Sequence, residues 1–216
     1  MSYRSNFYHS QAHAADVMQV IHTMIYDQGL KEMCAMSDLE VFTTLVSGAA
    51  HDMDHPGSNN VFETKTRSKL ALLYNDAAVL ENHHTASFFF LLENIQHECN
   101  IMANFSQDDI NIIRKSIVEN IMCTDMSKHP TIQKEIIEIG KLPEGEKDLA
   151  GANKHLVLRA IVHGADISNP TKPFDIASQW SKRIVQEFFG QGDKERALGL
   201  PITYLCDRKS VNFADS

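Results

Sequence analysis

An all-α domain is the architecture this sequence predicts, on three observations. Apolar residues recur at helical spacing in segment after segment, almost nothing alternates with period two, and capping residues fall where the apolar stripes begin. From Ala12 to about Gln28 the apolar positions Val17, Val20, Ile21 and Met24 share one face, and Gly29 is the candidate C-terminal stop. Ser37-Asp38-Leu39-Glu40 is a capping-box signature that opens a helix running to about His51, and Pro56-Gly57 prevents its continuation. Asp76 is the candidate cap of a long segment through Leu92. Ser106 with Asp109 is the candidate cap of the next, where Ile110, Ile113, Ile117 and Ile121 form one stripe. Further helices are expected near 153–164 and 174–189, the second with Phe174, Ala177, Trp180, Ile184 and Phe188 on one side. Gly140 to Gly151 combines Pro, Gly and charge and reads as a loop between helices rather than a domain boundary.

Composition narrows the function classes. At 216 residues and 43% hydrophobic content the chain has enough apolar mass for one domain, or a large part of one. A net charge of -8, with no Lys/Arg cluster, argues against a nucleic-acid groove, so an anionic substrate has to be held by metal ions rather than basic side chains. Cys34, Cys99, Cys123 and Cys206 lack C-x-x-C spacing and read as reduced thiols in a cytoplasmic setting. No run of 18 apolar residues occurs, and residues 1–16 carry no signal-peptide stretch.

The chemistry lies in metal-capable side chains at three separated places: His9 and His13, His51-Asp52, and Asp166. His9 and His13 are four residues apart, which puts both imidazoles on one face if the helix extends back to Tyr8. His51 and His55 repeat that spacing with Asp52 and Asp54 beside them, and an adjacent His-Asp pair offers one nitrogen and one carboxylate able to bridge two ions. Glu81 sits with His83 and His84 in a segment otherwise rich in Leu and Phe, where a buried carboxylate needs a partner. Thr124 and Asp125 follow a helix end and offer a hydroxyl and a carboxylate toward the waters of a metal centre. Asp166 points off a helix terminus between small neighbours. His22, His97, His129, His155 and His163 read as structural or solvent-exposed.

Seven motifs in order, YHSQAHAAD, HDMDHPG, YNDAAVLENHH, TDMSKH, HGADISNPTKP, EFFGQGD and CDRKS, give the chain a specific resemblance from about Tyr8 to its end. The chain resembles the catalytic domain of the class I 3',5'-cyclic nucleotide phosphodiesterases, which belong to the HD-domain metal-dependent phosphohydrolases. The resemblance implies a compact multi-helix bundle in which His13, His51, Asp52 and Asp166 hold a tight Zn2+. Asp52 would also bridge to a second ion, Mg2+ or Mn2+, with His55, Glu81 and Thr124 organising the waters around the metals. It implies His9 as general acid, and Tyr8, His9, Met126 and Asn169 as substrate contacts. The implied reaction is hydrolysis of cAMP, cGMP or both to the nucleoside 5'-monophosphate, in cyclic-nucleotide signalling. The parent protein is open to a regulatory domain or to homodimerisation.

Two departures from the family pattern stand out. Ser10 occupies the position after the acid histidine where the family carries Asn. The family's purine-binding glutamine and aromatic clamp lie beyond Ser216, and its first helices precede Met1, so residues 1–216 are expected to be a partial catalytic domain truncated at both ends. Two alternatives remain at this level: an HD phosphohydrolase acting on another phosphoester, and a chain inactivated by truncation that binds a nucleotide or a partner.

Overall fold

The computed structural model describes residues 3–94 and 99–210, and among them there are helices and turns but no strand. The elements are α1 (Gln11–His22), which runs on into a π turn (Thr23–Asp27), α2 (Leu30–Met33), α3 (Asp38–Ala50), α4 (Asn60–Lys65) and α5 (Lys69–Leu73). These are followed by α6 (Val79–Glu93), α7 (Gln107–Met122), α8 (His129–Lys141), α9 (Lys154–Asp166) and α10 (Phe174–Ala197).

Local rules account for several of the starts. At α3 the Ser37 hydroxyl accepts the Glu40 N–H at 3.2 Å, while the Glu40 carboxylate accepts the Ser37 N–H at 2.7 Å, the reciprocal bonding the sequence signature implies. Ser106 caps α7 through the Asp109 N–H at 3.1 Å. At α6 the expectation of an Asp76 cap is corrected. Asn75, Asp76 and Ala78 are all left-handed (φ 53, 61 and 43), the helix starts only at Val79, and the cap comes from α4, where the Asn60 side-chain oxygen accepts the Leu80 N–H at 2.9 Å. A cap borrowed across 20 residues leaves no local signal. The first helical segment ends where expected: α1 runs on through the π turn to Asp27, Gln28 caps it, and the left-handed Gly29 (φ 75) follows and also precedes α2. Helices α2, α4 and α5 are too short to show a 3.6 period. Helix α10 runs eight residues past its expected end, and Phe174, counted in its apolar stripe, stands 83% exposed.

Packing centres on α3, which lies against α1, α7 and α9. One cluster joins Val17, Ile21 and Ile25 to Val41 of α3 and Leu158, Ile161 and Val162 of α9. The second joins Ala50 and Met53 to Phe88, Phe89 and Leu92 of α6 and to Ile113, Ile117 and Ile121 of α7. Gly48 lets α1 and α3 approach closely, because a Cβ there would stand 2.5 Å from the Ile21 Cδ1. The C-terminal end of α3 therefore emerges where the two clusters meet. Among the described residues no helix is long and apolar enough to cross a membrane.

The segment after α10 folds back on that helix. Glu195, fully buried, accepts the Thr203 N–H at 2.7 Å and its hydroxyl at 2.5 Å, and a Cβ on Gly192 would lie 1.9 Å from the Cys206 carbonyl oxygen. Two alanine substitutions in α10 are expected to have opposite signs. Gly190, with open space around it, gains about 0.5–1 kcal/mol of helix propensity in Gly190→Ala. Gly192→Ala forces the 203–206 segment off the helix and loses about 1–3 kcal/mol through overpacking. Urea unfolding midpoints of the two variants check both signs.

Candidate metal centre

Three packed helices bring the separated ligands together. His13 lies in the first turn of α1, His51 and Asp52 follow the last residue of α3, and Asp166 closes α9. The Nε2 atoms of His13 and His51 are 3.3 Å apart, and the Asp166 Oδ1 lies 3.0 Å from the first and 3.2 Å from the second. The Asp52 Oδ2 lies 3.0 Å from the His51 Nε2 and 3.5 Å from the His13 Nε2. One donor atom from each of the four falls within 4.8 Å of all the others.

These atoms fit a cation better than they fit one another. The His51 Nδ1–H donates to the Gly48 carbonyl at 2.9 Å, which leaves the Nε2 lone pair facing two carboxylates unless a proton or a metal intervenes. The Asp52 Oδ2 and the His13 Nδ1 are buried without a hydrogen-bond partner. Burial opposes charge on His51, yet Asp52 and Asp166 outweigh it and hold its pKa well above 6.5. Burial pushes the Asp52 and Asp166 carboxyls up, and the same histidine, with further help from its neighbours, pulls both below the ordinary aspartate value. A divalent ion held by four deprotonated donors would take the place of that proton. Two imidazoles with two carboxylates is a donor set that suits Zn2+ with positions left open.

Beside this cluster, His9, Asp52 and His55 form a second group of three potential ligands. His9 stacks on His55 with ring centroids 3.8 Å apart and planes within 14°. The His55 Nδ1 accepts the Gly57 N–H at 3.0 Å, so its hydrogen sits on Nε2, and burial together with the neighbouring His9 keeps its pKa well below 6.5. The His84 Nδ1–H donates to the Met53 carbonyl at 2.8 Å and turns Nε2 toward the Asp52 Oδ1 at 3.8 Å.

Glu187 of α10 is the residue that reasoning from the sequence missed. Its carboxylate takes the ring Nδ1–H of His9 in a very short hydrogen bond and accepts the backbone N–H groups of Tyr8 and His9 at 2.9 and 3.1 Å. Burial works against a charged His9, but Asp52 and then the Glu187 bond raise its pKa above 6.5. The signal was present in the α10 pattern: Glu187 falls three residues after Ile184 and seven after Trp180, which places a carboxylate on the apolar side of the helix.

The other expected residues divide in two. Glu81, Thr124 and Met126 line a cavity of about 470 Å³ together with His9, Asp52, His55, His84 and Asp166. Glu81 is buried, its pKa raised by desolvation, and the Asn60 amide donates to both of its oxygens at 3.2 and 3.0 Å. Thr124 donates back to the Ile121 carbonyl at 2.9 Å, which leaves its lone pairs for the cavity. Met126 is 57% exposed at the rim. Tyr8 and Asn169 do not line the cavity. They bond each other at 2.6 Å behind the ligands, where Tyr8 stacks on His13 and the Asn169 amide donates to Asp16 at 2.9 Å, so both polar atoms of Asn169 are already satisfied. Ser10, the departure after His9, begins α1 without a side-chain cap bond. His22 and His155 are exposed, His129 and His163 pair at 2.9 Å, and His97 lies outside the described residues.

Comparison with known proteins agrees with this arrangement. The family model described as 3'5'-cyclic nucleotide phosphodiesterase matches residues 8–216. A probable 3',5'-cyclic-AMP phosphodiesterase, pde-4 of Caenorhabditis elegans, is 40% identical over 223 residues, covering 99% of this chain and 32% of that protein. A dual specificity calcium/calmodulin-dependent 3',5'-cyclic nucleotide phosphodiesterase 1C of Homo sapiens is 41% identical over 215 residues, covering 100% of this chain and 29% of that protein. The chain thus spans about a third of the length of these curated relatives. The solved structure of LmjPDEB1 in complex with IBMX superposes with a TM-score of 0.87 at 31% identity, over 99% of this chain and 63% of that one. A match that starts at Tyr8 takes in every His and Asp of the centre, and the chain belongs to the 3',5'-cyclic nucleotide phosphodiesterase family.

Proposed function

We propose that this chain hydrolyses 3',5'-cyclic nucleotides, cAMP and cGMP, to nucleoside 5'-monophosphates at the centre between α1, α3 and α9. The observation that carries the reading is the pairing of a four-residue cluster within 4.8 Å with a half-buried, carboxylate-anchored histidine that lines the same cavity as Asp52 and Asp166. His13, His51, Asp52 and Asp166 would hold the tight ion, Zn2+, and Asp52 would also serve a second, Mg2+ or Mn2+. When bound, these cations would supply a nucleophile at neutral pH and neutralise charge on the phosphoryl oxygens. The chain's own residues account for the rest. Glu187 fixes His9 with Nδ1–H toward the carboxylate, so Nε2 is the ring atom that faces the reacting groups. As the bond from phosphorus to O3' breaks, the Nε2 proton passes to the departing oxygen. Glu81, held by Asn60, and Thr124 present acceptors to water in the same cavity. Val61, Leu80, Met126, Ile184 and Phe188 give the cavity an apolar side on which a nucleoside can pack.

The direct test is conversion of cAMP, with cGMP in parallel, to the 5'-monophosphate with Zn2+ and Mg2+ present and after chelation. Turnover that disappears with the metals is expected; a folded, metal-loaded chain with no turnover of either nucleotide overturns the reading. The roles also separate by substitution. His9→Ala is expected to lower kcat by about 10²–10⁴-fold with metal content intact, whereas Asp166→Ala loses metal and activity together. Metal analysis alongside rates decides this, and equal metal loss in both contradicts the assignment.

Glu187 makes a pH prediction. Because it helps to raise the His9 pKa, it keeps the acid protonated to higher pH. Glu187→Gln removes that help, so His9 loses its proton at lower pH and the alkaline limb of the kcat/KM profile should move toward acid. An unmoved limb would separate Glu187 from the proton donor.

A further inference from the structure

Residues 3–9 form a strap along the turn that follows α3. Tyr3 donates to the Ala49 carbonyl at 2.8 Å, and Arg4 binds both carboxylate oxygens of Asp54 at 2.7 and 2.9 Å. Asn6 makes the contact that reaches the site. Its amide nitrogen donates one hydrogen to the His9 carbonyl at 3.0 Å and the other to the His55 carbonyl at 2.7 Å. One side chain thus ties together the backbones of the two histidines whose rings stack at 3.8 Å. The fit on the turn is close, since a Cβ on Gly57 would lie 3.3 Å from the Asn6 Oδ1.

On the other side of His9, Glu187 holds the ring Nδ1–H and the backbone N–H. His9 is therefore gripped from two directions, by Glu187 through its donors and by Asn6 through its acceptor. The Asn6 grip ties the histidine's backbone to the turn that carries Asp52 and His55, beside the stacking of the two rings. We infer that Asn6 is a positioning residue for proton donation: it sets the register of the His9 ring against the metal-bearing turn, an inference that rests on the proposed function. A donor displaced by about 1 Å loses on the order of 10²-fold in rate, and a neutral amide with two hydrogens is the group that can hold two carbonyls at once.

The test compares Asn6→Ala and the isosteric Asn6→Asp with the unaltered chain, with folding checked by circular dichroism. Asn6→Asp keeps the volume, removes both donors and sets an anion against two carbonyl oxygens. With cAMP, kcat is expected to fall by about 10–100-fold while KM and metal content stay within about twofold. With bis(p-nitrophenyl) phosphate, whose nitrophenolate leaves without a proton, the loss should be under about threefold. In a His9→Ala background Asn6→Asp should add less than about twofold, because its effect runs through the missing ring. A readout independent of turnover is the rate at which diethyl pyrocarbonate modifies His9, mapped by mass spectrometry, which should rise in Asn6→Asp. Equal losses on both diesters, a loss undiminished without His9, or unchanged His9 modification overturns the inference. Failure of the unaltered chain to hydrolyse cAMP counts against the proposed function instead, and the modification rate still reports whether Asn6 places His9.

Discussion

Two desolvated carboxylates facing two imidazoles are the constraint on which the rest of the structure depends. Asp52, in the turn after α3, and Asp166, at the end of α9, both aim oxygens at the Nε2 atoms of His13 and His51, with no lysine or arginine among their ion pairs in the described residues. Unpaired charge of this kind costs several kcal/mol per ion in a protein interior, so the arrangement persists only where a cation or shared protons balance it. The large apolar clusters on either side of α3 are what hold the ligands against that repulsion.

Around this centre the chain spends backbone groups, not charged residues, on orientation. His51 is fixed by the Gly48 carbonyl, His84 by the Met53 carbonyl and His55 by the Gly57 N–H, each three residues or fewer along the chain except His84. Each bond selects one tautomer, and the choice differs: His51 and His84 turn Nε2 lone pairs inward, whereas His55 carries its hydrogen there. Three histidines around one centre therefore hold two distinct tautomers without any difference in side-chain chemistry.

The acid histidine is built on another principle. It lies outside the four-ligand cluster, on the strap before α1, and its pKa is the outcome of burial opposing the Asp52 and Glu187 carboxylates. That balance keeps a proton on His9 beside a site whose other histidine, His55, is kept neutral by burial and by His9 itself. Environments that push neighbouring titratable groups in opposite directions are what separates an acid from a bystander. Asn60 shows a similar economy elsewhere in the cavity lining, where one side chain caps α6 and holds Glu81.

Local sequence accounts for the all-α class, the capping box at α3, the isoleucine stripe of α7 and the separated segments that carry the candidate ligands. These depend on periodicity and on residue chemistry that neighbours in the chain reveal. Which groups orient those candidates depends on how the helices pack. Glu187 reaches His9 across 178 residues and Asn60 caps a helix 20 residues away, contacts that no local pattern encodes. Packing also sets the partners of Tyr8 and Asn169, which bond each other across 161 residues while the Asn169 amide donates to Asp16. The physical reason is common to all of them. A ligand is recognised by what its side chain can bind, but a supporting residue is defined by which backbone or ring it meets, and that is fixed only when the helices pack.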